Sequence, residues 1–173
     1  MPLLASVLNV AIGAAAFFGG ALVSAHQHQE PADLLMASAG WVDVSRRRHS
    51  AAELGLGYRN RSRLWAFRPA VGLAATTSGA VYGWAGIAYD VRIGRVTLTP
   101  SFAPGLYRRG GGIDLGHPVE FRSQFEAGFR LSDRSRIGVA LSHMSNAGLG
   151  QTNPGVETVT LDYAFAFGQR RAR

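Results

Sequence analysis

The last regular stretch of the chain, residues 156–167, alternates between bulky apolar side chains and small or polar ones. The bulky parity holds Val159, Leu161, Tyr163, Phe165 and Phe167, and the other parity holds Thr158, Thr160, Asp162, Ala164 and Ala166. A period of two puts the two sets on opposite faces of a β-strand. One face is therefore large and apolar and the other is small, a contrast that restricts what the whole chain can fold into.

Alternation of this kind recurs in eight segments of the chain. They are residues 34–44, 51–60, 64–75, 80–91, 96–106, 119–131, 137–145 and 156–167. An eight-stranded barrel has a narrow interior that small and charged side chains fill, whereas large apolar side chains face lipid. Segments of about ten residues suit tilted strands that cross a bilayer. We predict an all-β fold, an eight-stranded antiparallel transmembrane β-barrel over residues 34–167, with a soluble lipocalin-like or sandwich fold as the alternative.

Charged residues within one segment favour the membrane barrel over the sandwich. Glu120, Arg122 and Glu126 share a face of residues 119–131, where a sandwich core would bury them at a large cost. Inside a barrel they can pair, and we expect Glu120 and Glu126 to pair with Arg122 and Arg130.

Prolines and connections refine the predicted barrel. Pro69, Pro100 and Pro104 lie inside predicted strands and predict a bulge or a bend, because proline removes a ladder donor. The short turns at 60–63, 92–95 and 132–136 alternate with the connections 45–50, 76–79, 107–117 and 146–155, which include the two longest. Short periplasmic turns and longer external loops are the usual asymmetry of such barrels.

The ends of the chain indicate export. Residues 1–25 read as a signal peptide, since an apolar stretch ends in the small residues Val23-Ser24-Ala25. An N-terminal segment at 26–33 precedes the barrel, and a basic tail at 168–173, which we expect to be disordered, follows it. Membrane barrels reach the bacterial outer membrane through the periplasm, and that membrane is the predicted location.

Composition excludes several classes of function. Cysteine is absent, which excludes disulfides and thiolate metal sites. The formal net charge of +7 comes from scattered arginines without a nucleic-acid motif, so no nucleic-acid partner is predicted. His26 and His28 supply only two ligands on a predicted tail, so we predict no metal and no cofactor.

Polar residues interrupt the bulky face where the seventh and eighth segments approach each other. His143 and Ser145 share the parity of Leu141, and Glu157 shares the parity of Val159. A serine, a histidine and a carboxylate together form the acyl-transfer constellation. The alternative is a merely polar rim at the level of the lipid headgroups.

The stretch HMSNAGLGQTNPGVET resembles the signature of the outer-membrane lipid A 3-O-deacylases, the PagL family. The upstream stretch FEAGFRLSDRSRIGVALSH also resembles that family, and the similarity is specific over residues 118–167. The resemblance implies an eight-stranded outer-membrane barrel with a lipid-facing triad. Ser145 would be the nucleophile, His143 the general base and Glu157 the residue that orients it.

The same resemblance implies an oxyanion hole and a reaction. Asn153 and backbone N–H groups near Ala147 and Gly148 would form the hole, and Asn146 would support the loop. The reaction is hydrolysis of the ester at position 3 of lipid A, which releases a 3-hydroxy fatty acid without a metal or cofactor. The partner is lipid A, or lipopolysaccharide, in the outer leaflet, and a homodimer is left open.

Several alternatives remain open at this point. The protein could be a non-enzymatic small barrel, or an esterase or acyltransferase that acts on phospholipid. Lipid A phosphates could meet arginines of the outer loops, which could equally be solvated charges. These arginines are Arg46, Arg47, Arg48, Arg108 and Arg109.

Overall fold

The computed structural model describes residues 32–168 except residues 48 and 63, and its strands form one antiparallel sheet closed into a barrel. The strands are β1 (Asp33–Val42), β2 (Ala51–Arg59), β3 (Arg68–Thr76), β4 (Val81–Ala88), β5 (Val91–Ile93), β6 (Val96–Arg108), β7 (Val119–Arg130), β8 (Arg136–Ser145) and β9 (Val156–Phe167). Pairing of β1 with β9 and of β4 with β6 closes the ring. Within the described residues, no helix is long and apolar enough to cross a membrane.

Strands β4 and β5 are two parts of one barrel strand. Ile87 pairs with Phe102 and Val91 with Leu98, so the register is unchanged across the break between them. The Tyr89 N–H donates to the carbonyl of Pro100 at 2.9 Å, but proline has no N–H to return the bond. The barrel therefore has eight strands, as predicted. Where a bulge or a bend was expected, at Pro100, the pairing has a short gap and the register does not change.

The predicted division between the two faces is confirmed. Large apolar side chains such as Leu54, Leu73, Val139 and Leu161 are exposed on the outside of the barrel. Small and polar side chains such as those of Ala74, Thr97, Ala140, Ser142 and Thr160 are buried inside it. This exterior fits hydrocarbon, and the interior holds the small and polar side chains of the barrel.

One predicted strand boundary is wrong. Residues 64–67 belong to the connection 60–67, and β3 begins only at Arg68. Trp65 lies in that connection with a positive φ of 59° and is 96% exposed. In sequence, apolar residues at the end of a barrel look like part of a strand. Aromatic side chains are also common at the membrane interface, where the backbone needs no partner strand. The segment 1–25, most of the segment 26–33 and the tail beyond Gly168 lie outside the described residues.

The two ends of the barrel differ as the connection lengths predicted. The end that we call the loop end carries the connections 43–50, 77–80, 109–118 and 146–155. The opposite end, the turn end, carries the connections 60–67, 94–95 and 131–135 and both described chain termini. Leu115 from the connection 109–118 is buried against Tyr82, Met144 and Val156, so an apolar cluster fills the interior at the loop end.

A cluster of charges around Asp90 joins four parts of the barrel from within. Its carboxylate accepts hydrogen bonds from Arg59 Nη1 at 3.2 Å, Arg68 Nη1 at 2.9 Å and Arg136 Nη2 at 3.0 Å. Thr99 Oγ1 donates to the same carboxylate at 2.8 Å. The break between β4 and β5 contains Asp90, so the interrupted pairing coincides with the residue that binds three guanidinium groups.

Two further ion pairs cross the interior, and they differ from the predicted ones. Arg122 forms a bidentate pair with Glu53 of β2 at 3.2 and 3.0 Å, and Glu126 pairs with Arg59 at 3.2 Å. The Glu120 carboxylate is buried and has no hydrogen-bond partner among the described residues. The expected pairing of Glu120 is therefore wrong, because curvature of the closed sheet brings charges from distant strands closer than sequence neighbours.

We expect Asp90→Asn to destabilise the barrel, because three buried guanidinium groups would lose their shared carboxylate. Removing one partner of a buried ionic cluster lowers the free energy of unfolding by about 3–5 kcal/mol. Denaturant unfolding in lipid vesicles, followed by tryptophan fluorescence, measures this change.

The matched control is Arg109→Gln, which breaks the exposed pair between Arg109 and Asp114 at 2.7 Å. We expect that variant to lose less than about 1 kcal/mol, since exposed pairs contribute little. Equal stability of the two variants would contradict the role assigned to Asp90.

Candidate active site

The ends of β8 and β9 bring the predicted polar residues together on the outside of the barrel at its loop end. His143 lies directly opposite Glu157 in the β8–β9 ladder, and Ser145 lies two residues farther along β8 on the same face. The intervening Met144 and the neighbouring Val156 point inward and are buried in the apolar cluster. All three side chains therefore lie on the outward face that their parity predicted.

The histidine and the carboxylate are in contact. His143 Nδ1 lies 3.2 Å from Glu157 Oε1, and the two side chains are 29% and 12% exposed. When Nδ1 donates this bond, the imidazole keeps Nε2 free to accept a proton. The other carboxylate oxygen of Glu157 accepts a hydrogen bond from Ser45 Oγ, in the connection 43–50.

Ser145 shares the face of His143, but its hydroxyl makes no hydrogen bond among the described residues. At about 3.3 Å per residue, the two backbone positions are roughly 7 Å apart. Contacts of this kind are often long before substrate binds and shorten in the reacting complex. Across the β7–β8 ladder Ser145 faces Phe121, whose ring stacks on Phe102 with centroids 5.9 Å apart.

Asn146 holds the connection 146–155 in place. It is fully buried, and its Nδ2 donates to the carbonyls of Leu115 at 2.7 Å and Thr152 at 2.8 Å. Its backbone N–H donates to Asn153 Oδ1 at 3.1 Å, and its Oδ1 accepts from the Gly148 N–H at 2.8 Å. Asn146 therefore holds the connection together from a buried position, and its part in catalysis stays what the resemblance implies.

The predicted oxyanion donors lie in the same connection, but they are not equally available. The Gly148 N–H is engaged by Asn146 Oδ1. Asn153 is exposed and uses its Oδ1, which leaves its Nδ2 group as the donor end. Ala147 has a positive φ of 55°, and its N–H takes part in none of the hydrogen bonds between described residues. The oxyanion hole stays a prediction, with Asn153 and Ala147 as the better placed donors.

Gly155 lies directly over the His143 ring. It has a positive φ of 62°, and a Cβ atom there would lie 2.7 Å from His143 Cε1 and 3.2 Å from Nε2. Only glycine combines this backbone conformation with so close an approach. A side chain at this position would therefore press on the imidazole that faces Glu157.

Two polar residues near the site were not identified from the sequence. Ser45 belongs to the connection 43–50, whose conformation alternation does not determine. Ser123 of β7 lies opposite His143 on the other side of β8, so the histidine has a polar neighbour on each adjacent strand. The signal for Ser123 was available, because it is the polar residue between Phe121 and Phe125 on the outward parity.

The interior of the barrel is a poor place for a lipid. Its cavity of about 80 Å³ lies among Glu53, Arg59, Arg122 and Glu126, whereas ligand pockets are commonly about 300–1,000 Å³. Outside, a depression of about 350 Å³ lies on the same side as the site, lined by Val96, Ala127, Gly128, Phe129, Ile137, Gly138, Val139 and Leu161. No group of three or more metal-ligating side chains occurs among the described residues.

Comparisons with known proteins agree with the fold and with the sequence signature. A sequence model of the lipid A 3-O-deacylase (PagL) family matches residues 21–166. The chain is 40% identical over 53 residues to the lipid A deacylase PagL of Bordetella bronchiseptica, which is 31% of this chain and 30% of that protein. It is 38% identical over 55 residues to the lipid A deacylase PagL of Pseudomonas aeruginosa, 32% of each chain. These alignments thus span about a third of the relatives' length.

A solved structure gives a wider match in shape. The crystal structure of the outer membrane enzyme PagL superposes with a TM-score of 0.60 at 21% sequence identity, covering 78% of this chain and 99% of that one. This likeness concerns the fold. With the family match, it confirms the predicted barrel class and the resemblance.

We expect Gly155→Ala to displace the His143 ring and to abolish most ester hydrolysis. The matched control is Gly94→Ala, because Gly94 has the same φ of 62° but has no atom within 4 Å of the added methyl group. Both variants carry similar backbone strain, of order 1–3 kcal/mol. Hydrolysis of a p-nitrophenyl ester in detergent should fall only for Gly155→Ala, and an equal loss in both variants would contradict the proposed contact.

Proposed function

The chain belongs to the PagL family of lipid A 3-O-deacylases, and from this membership we propose that it is a serine esterase of the outer membrane. It hydrolyses the 3-O-linked acyl chain of lipid A and releases a 3-hydroxy fatty acid. The observation that carries the proposal is the His143–Glu157 pair beside Ser145 on the lipid-facing side of the barrel. Polar groups facing lipid are unfavourable unless they pair or serve a function.

The proposed reaction has two steps. The Ser145 hydroxyl gives its proton to His143 Nε2 while its oxygen attacks the ester carbonyl. The alcohol at position 3 then leaves with that proton, and the fatty acyl group stays on Ser145. In the second step His143 takes a proton from water as the water oxygen attacks the acyl-enzyme, and His143 returns that proton to the Ser145 oxygen as its bond to the acyl group breaks and the fatty acid leaves. Throughout both steps Glu157 keeps the imidazole oriented and stabilises its protonated form.

Stabilisation of the tetrahedral intermediate falls to the connection 146–155. Asn153 Nδ2 and the Ala147 N–H are the donors proposed to bind the oxyanion. The Gly148 N–H could join them only if its hydrogen bond to Asn146 Oδ1 breaks. Asn146 contributes indirectly, since its bond to the Thr152 carbonyl braces the connection internally and its bond to the Leu115 carbonyl holds it against the connection 109–118.

The position of the site suits a substrate that is itself a membrane lipid. Lipid A lies in the outer leaflet with its acyl chains beside the barrel wall, and its ester bonds lie just below the headgroups. The stacked Phe102 and Phe121 adjoin Ser145, and the exterior depression around Val139 begins six residues before Ser145 on β8. At about 3.3 Å per residue this is roughly 20 Å, about the length of a long fatty acyl chain.

Arginines of the loop end can bind the phosphate groups of lipid A. Arg46 is the best placed of those predicted, because its Nη2 donates to the Pro154 carbonyl at 2.5 Å and so lies beside the site. Arg109 is instead paired with Asp114 at 2.7 Å, and Arg48 lies outside the described residues. Arg46 is therefore the arginine that we propose to contact lipid A.

We expect expression of the protein in a Gram-negative host with unmodified lipid A to remove one 3-hydroxyacyl chain from position 3. Ser145→Ala should abolish this change while the barrel still folds, because the variant lacks only the attacking oxygen. Mass spectrometry of the extracted lipid A measures the loss, and the heat-dependent shift of the folded barrel in gels checks folding.

The control is Ser50→Ala, which alters an exposed serine of the connection 43–50. Unchanged lipid A with folded wild-type protein would contradict the proposal and favour a non-enzymatic barrel. Fatty acid released from phospholipid, with lipid A intact, would assign the same triad to a phospholipid esterase.

Glu157→Gln should lower the deacylation rate by up to about 10⁴-fold, as replacing the acid of such a triad by its amide can do. The amide cannot stabilise the protonated imidazole or hold it in the productive orientation. Release of 3-hydroxy fatty acid from lipid A in mixed micelles measures the rate. Glu120→Gln is the matched control, since that carboxylate faces the interior, and an equal loss in both variants would contradict the assignment.

A further inference from the structure

The Glu157 carboxylate contacts Ser45 of the connection 43–50, the first connection of the loop end. The two oxygens of this carboxylate have different partners, since Oε1 faces His143 Nδ1 and Oε2 accepts from Ser45 Oγ. Ser45 and Glu157 are 112 residues apart in sequence, so only closure of the barrel brings them together. The carboxylate is thus held from both sides.

Two other hydrogen bonds hold the connection 43–50 near Glu157, and a third closes its turn. The Val44 N–H donates to the Glu157 carbonyl at 3.3 Å, which extends the β1–β9 pairing beyond Val42. Arg46 Nη2 donates to Pro154 O at 2.5 Å. The Asp43 carbonyl accepts from the Arg47 N–H at 2.9 Å and closes the turn around Ser45. Ser45 is therefore held in place by backbone and side-chain contacts on both sides of it.

A carboxylate at this position needs a second partner for physical reasons. With His143 alone, the Glu157 side chain could rotate about its last bond and leave one charged oxygen unpaired near the lipid. Hydrogen bonds to an ionised group are about twice as strong as neutral ones, so a hydroxyl on Oε2 restricts that rotation effectively. The result is that Oε1 stays directed at the imidazole.

We propose that Ser45 is a positioning residue of the esterase site, which fixes the Glu157 carboxylate so that it orients His143. The proposal rests on the proposed function, because it assigns Ser45 a part in the same Ser145–His143–Glu157 reaction. Ser45 acts through Glu157 and touches neither the substrate nor the nucleophile. The site therefore draws on β8, β9 and the connection that follows β1.

The test compares Ser45→Thr with Ser45→Val, two side chains of nearly equal shape of which only threonine has a hydroxyl. Deacylation of lipid A in mixed micelles is measured over a range of substrate concentrations, with Ser45→Ala as a further variant. Folding of every variant is checked by its gel shift and thermal unfolding. Ser50→Ala is the control, because it removes an exposed hydroxyl from the same connection.

We expect Ser45→Val and Ser45→Ala to lower kcat by about 10- to 100-fold with KM nearly unchanged, the loss that corresponds to one hydrogen bond with a charged group. Ser45→Thr should recover most of the rate. Equal rates for the threonine and valine variants would overturn the proposal. So would a loss as complete as that of Ser145→Ala in both, which would make Ser45 itself the nucleophile.

A second measurement tests the role of Ser45 independently of which lipid is the substrate. The rate at which an alkyl fluorophosphonate labels Ser145 depends on the activated serine and not on lipid A. Slower labelling of Ser45→Val than of Ser45→Thr supports the positioning role even if lipid A proves not to be the substrate. Equal labelling of the two variants, or no labelling of the folded wild-type protein, overturns it.

Discussion

Backbone hydrogen bonding around a closed ring of strands is the constraint on which the rest of this structure depends. In hydrocarbon an unpaired N–H or C=O group finds no water, so a membrane-spanning sheet must have no free edge. The β1–β9 and β4–β6 pairings meet that requirement. Once the ring is closed, each strand residue faces either lipid or a narrow interior. The outward location of the candidate reactive groups follows from that division.

Alternation along each strand was enough to predict much of this arrangement. The bounds of β9 and the outward direction of His143, Ser145 and Glu157 could be predicted, because side chains on a strand alternate strictly between faces. Connections follow no such rule, which is why Trp65 was assigned to a strand and Ser45 was not identified. The ion pairs were also beyond prediction. Partners such as Arg122 and Glu53 meet through the curvature of the whole sheet, which no local pattern encodes.

The protein holds its carboxylates in two contrasting environments. Asp90 lies within the barrel among three guanidinium groups, an arrangement that stabilises the fold but leaves no group available to react. Glu157 lies at the outer surface with a hydroxyl and an imidazole, neither of which is a permanent cation. Partners that can exchange protons suit chemistry, whereas partners that stay charged suit structure. The same residue class thus serves the fold inside and the candidate reaction outside.

The seam between β1 and β9 joins the beginning of the barrel to its end, and the Ser45–Glu157 contact lies across it. A hairpin of β8 and β9 alone already contains the histidine and the carboxylate, but it lacks the hydroxyl from the first connection. During biogenesis an unclosed barrel would therefore carry an incomplete catalytic apparatus. Completion of the ring would add the Ser45 contact, so the proposed site would reach its full rate only after the seam between β1 and β9 has formed.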